Sequence, residues 1–107
     1  MIGRLMTMTA HAGRGGELAA VLLEVAERLH GFPGCEIYVI SQDAADPDTV
    51  RVTEVWRDDA SAQAALAAPP TPDGPTPADV LALLSTAPHR TDLTVLGGVG
   101  LPADGRP

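Results

Sequence analysis

The sequence predicts one small α+β domain whose strands and helices follow the order β-α-β-β-α-α-β. Three features carry that prediction. The chain has 107 residues, enough for a single core and too few to divide between two. Residues 17–30 repeat apolar side chains at helical spacing, whereas residues 35–41 and 50–56 are dense in strand-forming types. Clusters of glycine, proline and aspartate separate these segments and supply the turns.

Residues 2–9 alternate loosely, with Ile2, Leu5, Met6 and Met8 apolar and Thr7 and Thr9 β-branched, and form a first strand. Gly13, Gly15 and Gly16 then let the backbone turn without steric cost. In residues 17–30, Leu18, Leu22, Val25 and Leu29 make one apolar stripe. Glu17 in the first turn and Arg28 in the last suit the helix dipole, and Gly31, Pro33 and Gly34 end the helix.

Residues 35–41 read as a second strand, joined to a third by an aspartate-rich hairpin over 42–49. Alternation in residues 50–56 places Val50, Val52, Glu54 and Trp56 on one face, with Arg51, Thr53 and Val55 on the other. Asp58 or Asp59 caps an alanine-rich helix at 60–67. Residues 69–77 hold five of the ten prolines and read as an extended loop. Thr76, Pro77 and Asp79 start a short helix with Val80, Leu81, Leu83 and Leu84 as its apolar face. Residues 91–96 make the fourth strand. The domain spans 1–101, and 102–107 form a polar tail.

The halves 1–43 and 50–97 each read β-α-β, the second with its helix in two pieces. This is the split, ferredoxin-like arrangement of a four-stranded antiparallel sheet with helices on one face. The other face is rich in valine and isoleucine and needs a cover. A second copy of the chain is the natural one.

Composition narrows the function. The chain has seven arginines and no lysine against fourteen acidic residues, a net charge of −7. Such a field repels nucleic acid and anionic lipid. Cys35 is the only cysteine, which excludes an intramolecular disulfide and multi-cysteine zinc patterns. No closely spaced histidine pair suggests a metal. No secretory leader or membrane-length apolar run is evident, so a cytoplasmic protein is expected. Phe32, Tyr38 and Trp56 are the only aromatic residues, so the core is aliphatic.

Two passages carry a resemblance. Pro33-Gly34-Cys35-Glu36-Ile37-Tyr38 and Val52-Thr53-Glu54-Val55-Trp56 resemble antibiotic-biosynthesis monooxygenase domains. The alanine-rich helix that follows, the ending Gly97-Gly98-Val99-Gly100-Leu101 and the first-helix segment from Glu17 to Leu23 fit the same pattern, over about residues 2–101. The resemblance implies a homodimeric α/β barrel with a pocket between sheet and helices in each subunit. It also implies oxidation of a small phenol, quinol or anthrone by dioxygen, without metal, flavin or haem. The electron-rich substrate reduces dioxygen itself, so the protein has to assist deprotonation, stabilise the anion and exclude water. Related members degrade haem, isomerise substrates or have no demonstrated activity. Family members often carry a histidine about six residues after the tryptophan. That position is Ala62 here, and neither Ala65 nor the proline-rich loop supplies an iron ligand, which disfavours haem degradation.

Several residues become candidates on this reading. Trp56 either walls a pocket and offers its indole N–H to substrate, or packs as core with that N–H on a backbone carbonyl. Tyr38 either donates to a quinone oxygen or packs its ring and wets its hydroxyl, and Val52 shares the Trp56 face. Glu54 is either a desolvated base or a structural partner of Arg51, Arg57 or Arg4. His11, His30 and His89 are the neutral-pH proton carriers. His30 reads as a solvated helix end, whereas His11 after the first strand and His89 before the fourth lie where a pocket rim would be. Cys35 reads as a small buried residue. The competing function is a non-catalytic dimeric small-molecule-binding or stress-response protein, favoured by the missing helix histidine and the few aromatics. The two separate on whether the sheet–helix interface holds a cavity with polar groups or is filled solidly by Leu and Val.

Overall fold

The computed structural model describes residues 1–68 and 73–102. Along the chain lie β1 (Ile2–Thr9), α1 (Gly15–Arg28), β2 (Cys35–Gln42), β3 (Thr49–Trp56), α2 (Asp59–Ala67), α3 (Pro77–Leu83) and β4 (His89–Thr94). The strands form one antiparallel sheet in the order β2-β3-β1-β4. The ferredoxin-like arrangement expected from the sequence is the one observed. The part of the proline-rich loop at 69–72 and the tail from 103 lie outside the described residues.

Helix α1 and strand β4 differ most from expectation, each by two residues at both ends. Helix α1 begins two residues early, at Gly15, because its cap is remote. Asp48, at the β2–β3 turn, accepts hydrogen bonds from the Gly13 and Gly15 N–H groups at 3.0 and 2.9 Å. Those two donors hold the Asp48 carboxyl below its usual range. A side chain at Gly15 would collide with the Pro47 carbonyl, so the close approach requires glycine. The helix ends at Arg28, two residues early, and Gly31 turns the chain away with a φ of 74°. Strand β4 runs from His89 to Thr94 rather than over 91–96, in a register that sets His89 opposite Thr7 and Thr94 opposite Ile2. His89 therefore opens the strand instead of preceding it.

The helical N-termini follow local rules elsewhere. The Asp58 side chain accepts the Ser61 N–H to cap α2, and Thr76 and Asp79 form a reciprocal capping box on α3.

Register assigns the two faces of the sheet. Met8 pairs with Val50, Met6 with Val52, Arg4 with Glu54 and Ile2 with Trp56, and these side chains point toward the helices. At one end of this face Met8, Val50 and Val52 pack against Leu18 and Leu22 of α1 and against Leu83 and Leu84 in a solid core. The opposite face carries two neighbouring cross-strand rows, Val39–Thr53–Leu5–Thr91 and Ile37–Val55–Gly3–Leu93.

Candidate functional site

Beyond Leu22 the apolar stripe of α1 continues through Val25 and Leu29, but there it borders a void. A cavity of about 590 Å³ lies between the C-terminal half of α1, helix α2 and the helix-side face of the sheet. Its size falls within the ~300–1,000 Å³ usual for small-molecule sites. Alanine explains the space. Helix α2 presents Ala62 and Ala65 to it, with Ala68 just beyond, and side chains that short do not reach the sheet. Pro75, from the described end of the proline-rich loop, also borders the cavity.

All three aromatic residues of the chain line this one space. Trp56 is 2% exposed, and its ring meets Phe32 edge-on at 6.1 Å between centroids. Its indole Nε1–H donates to Glu54 Oε1 at 2.9 Å, so the N–H is bound to a carboxylate rather than to the backbone carbonyl considered above. The two side chains lie two residues apart on one strand and thus share a face.

Glu54 faces Arg4 across the β1–β3 ladder, with Arg4 Nη1 4.0 Å from Glu54 Oε1. Of the three pairings open to Glu54 in the sequence, the structure selects Arg4. Arg51 instead pairs with Asp43, and Arg57 with Glu36. Tyr38 stands opposite Glu54 on β2. Burial pushes its phenol well above the ordinary value, and the Glu54 charge adds to that rise. The hydroxyl therefore stays protonated over a wide pH range and is a hydrogen-bond donor at neutral pH.

The profile of the antibiotic biosynthesis monooxygenase family matches residues 1–71. The chain belongs to that family. A candidate antibiotic biosynthesis monooxygenase from Chloroflexus aurantiacus is 33% identical, with 94% of this chain and 98% of that chain covered and a TM-score of 0.79. A Pseudomonas aeruginosa protein is 23% identical over 90% of this chain and 94% of its own, with a TM-score of 0.72. A Mycobacterium tuberculosis protein is 16% identical over 92% and 97%, with a TM-score of 0.74. The last two likenesses speak for the fold alone. No curated protein matches the chain.

Within this antibiotic biosynthesis monooxygenase fold, Trp56, Tyr38, Val52 and Glu54 come together at the cavity. The two other candidates stand elsewhere. His11 is exposed beyond the end of β1, and His89 is exposed with its neighbour Arg90 taking the cavity-facing position. Neither histidine borders the cavity of this chain. His30 lies on the surface, 3.6 Å from Glu27. Ala62, where family members often carry histidine, is fully buried at the cavity wall. Cys35 is half-buried rather than buried, and its thiol is raised first by desolvation and then by Glu54 and Glu36.

The cavity wall also carries Arg28 and Arg90, which residue-by-residue reading does not single out for the site. It carries Phe32 too, noted there only as one of three aromatics, and Arg4, offered only as a structural partner of Glu54. Arg4 carried a usable signal. It is a charge at an alternate position of a strand whose next inward positions are Met6 and Met8. Among the described residues no group of three or more His, Cys, Asp or Glu side chains is placed to hold a metal, and no helix is long and apolar enough to cross a membrane.

Proposed function

We propose that the chain is a cytoplasmic, homodimeric, cofactor-independent monooxygenase acting on a small phenolic, quinol or anthrone-type substrate. The observation that carries this reading is the convergence of Phe32, Tyr38 and Trp56 with the buried Glu54 on one cavity. In it the flat substrate lies among the three rings and Val52. Glu54 accepts a proton from the substrate, steered by the Trp56 indole N–H that holds one of its oxygens. The Tyr38 hydroxyl stabilises the resulting anion. That anion passes electrons to dioxygen, and a new carbon–oxygen bond forms. For an anthrone, the hydroperoxide loses one water to give the quinone, so both oxygen atoms and all electrons are accounted for. The reading assigns the proton to Glu54 rather than to His89 or His11, which stand outside the cavity.

Dimerisation follows from the other face. Leu5, Val39 and Leu93 are 40%, 48% and 39% exposed on two adjacent rows, an apolar patch that a second copy would cover.

Oxygen uptake by the purified, metal-free protein with a panel of quinols and anthrones tests the activity. The expected result is saturable consumption above autoxidation, with kcat reduced about 10²- to 10⁴-fold in Glu54→Gln, as for loss of a general base. No uptake across the panel would move the assignment to the second reading, a binding protein. That reading is supported by Ala62 at the family's histidine position and by a cavity with no histidine on its wall.

A further inference from the structure

The distribution of charge in this acidic chain is uneven. Among the described residues, three arginines, Arg4, Arg28 and Arg90, border the cavity, but Glu54 is the only acidic residue that does. Two of those arginines have bonded partners. Arg90 Nε donates to Asp92 at 2.7 Å, and Arg28 Nη2 donates to the Pro75 carbonyl at 3.4 Å.

Arg4 differs. It is 6% exposed, held on the inner strand β1 between β3 and β4. Its Nε is buried without a hydrogen-bond partner, and its guanidinium makes no hydrogen bond to any described residue. The acids that flank it on both neighbouring strands are engaged elsewhere. Opposite it on β3, Glu54 accepts the Trp56 N–H and stays 4.0 Å away, beyond hydrogen-bond distance. Opposite it on β4, Asp92 is held by Arg90. A buried guanidinium with five donors, attracted by the charges of Glu54 and Asp92 but hydrogen-bonded to neither, is costly for a fold to keep. The cost is relieved when an anion with two coplanar oxygens meets the planar fork.

We propose that the substrate of this cavity carries a carboxylate, anchored by Arg4, on an aromatic ring system held by Phe32, Tyr38 and Trp56. The proposal rests on the substrate site assigned above and narrows its class from neutral phenols to aromatic acids. Attachment through the carboxylate fixes the orientation of the ring, so the hydroxyl to be deprotonated is presented to Glu54 from a set direction. Arg4 is thus a specificity-determining residue for the proposed reaction.

Calorimetric titration with matched pairs tests it: benzoate, 2-naphthoate and anthracene-2-carboxylate, each against its neutral carboxamide. These compounds carry no oxidisable hydroxyl, so the result is independent of oxygen uptake. For at least one ring size the wild-type protein is expected to bind the acid about tenfold or more tightly than the amide, the scale of a charged hydrogen bond. Arg4→Met is expected to erase that preference by weakening the acid alone, while Arg14→Met, at a surface arginine paired with Glu17, leaves it intact. Equal binding of acid and amide by the wild type overturns the proposal without any variant having to fold. So does wild-type affinity for the acid in Arg4→Met, or failure of all three acids to bind. Oxygen uptake confined to neutral quinols would overturn the carboxylate and leave the monooxygenase reading standing.

Discussion

The two faces of the sheet hold opposite kinds of residue from those a free-standing domain would place there. On the helix side Arg4 and Glu54 are 6% and 9% exposed, beside a cavity rather than a filled core. On the far side Leu5, Val39 and Leu93 remain 40%, 48% and 39% exposed. Buried charge and uncovered apolar surface are each the informative exception in a folded chain. Here they lie back to back on one sheet, and on β1 Arg4 and Leu5 are one residue out of phase. The contrast shows that a period of two along a strand can set charged side chains against a cavity and the alternate set on an open apolar face.

The largest effect on assembly is expected on the apolar face. Val39→Asp places a charge on the most exposed of the three residues named in the proposed dimer contact and should weaken self-association by about 30-fold or more, the scale of an interface hot spot. Sedimentation equilibrium reads it. An unchanged association constant would mean that the copies meet elsewhere, or that the two faces are not divided as argued.

A smaller effect tests the enclosed face. Tyr38 is the single tyrosine, so near-ultraviolet absorbance follows its ionisation alone. Because burial raises its folded pKa, the fold favours the neutral phenol. Its contribution to stability is complete below the ordinary value of 10.0 and is lost as pH rises toward the folded value. Phenolate absorbance should therefore appear only well above pH 10, or together with alkaline unfolding. Half-ionisation near pH 10 in the folded protein would place Tyr38 in solvent.

How much of this was legible depended on whether the signal was local. The alternation Val50, Val52, Glu54, Trp56 needs only a period of two, and it placed the carboxylate and the indole on one face correctly. The starts of α2 and α3 were equally plain, since Asp58 and Thr76 lie beside the N–H groups they cap. The start of α1 was not, because its cap, Asp48, is 33 positions from Gly15. Strand β4 is exposed along its whole length, so no hydropathy pattern marks its ends and only pairing with β1 sets them. Phe32 lies between elements, and its place at the site follows from packing against Trp56. Arg4 interrupts the apolar pattern of β1, and its role emerges only when its neighbours are seen to be bonded to others.

In the proposed function, small aromatic molecules bind on the helix side, against Trp56 and Glu54. The chain has one tryptophan, so its indole N–H gives a single resolved signal in a ¹H–¹⁵N correlation spectrum. Titration with a quinol under anaerobic conditions should move that signal progressively and to saturation, while the amides of Leu5, Val39 and Leu93 stay in place. A stationary indole signal, with shifts gathered on those three amides, would contradict the account.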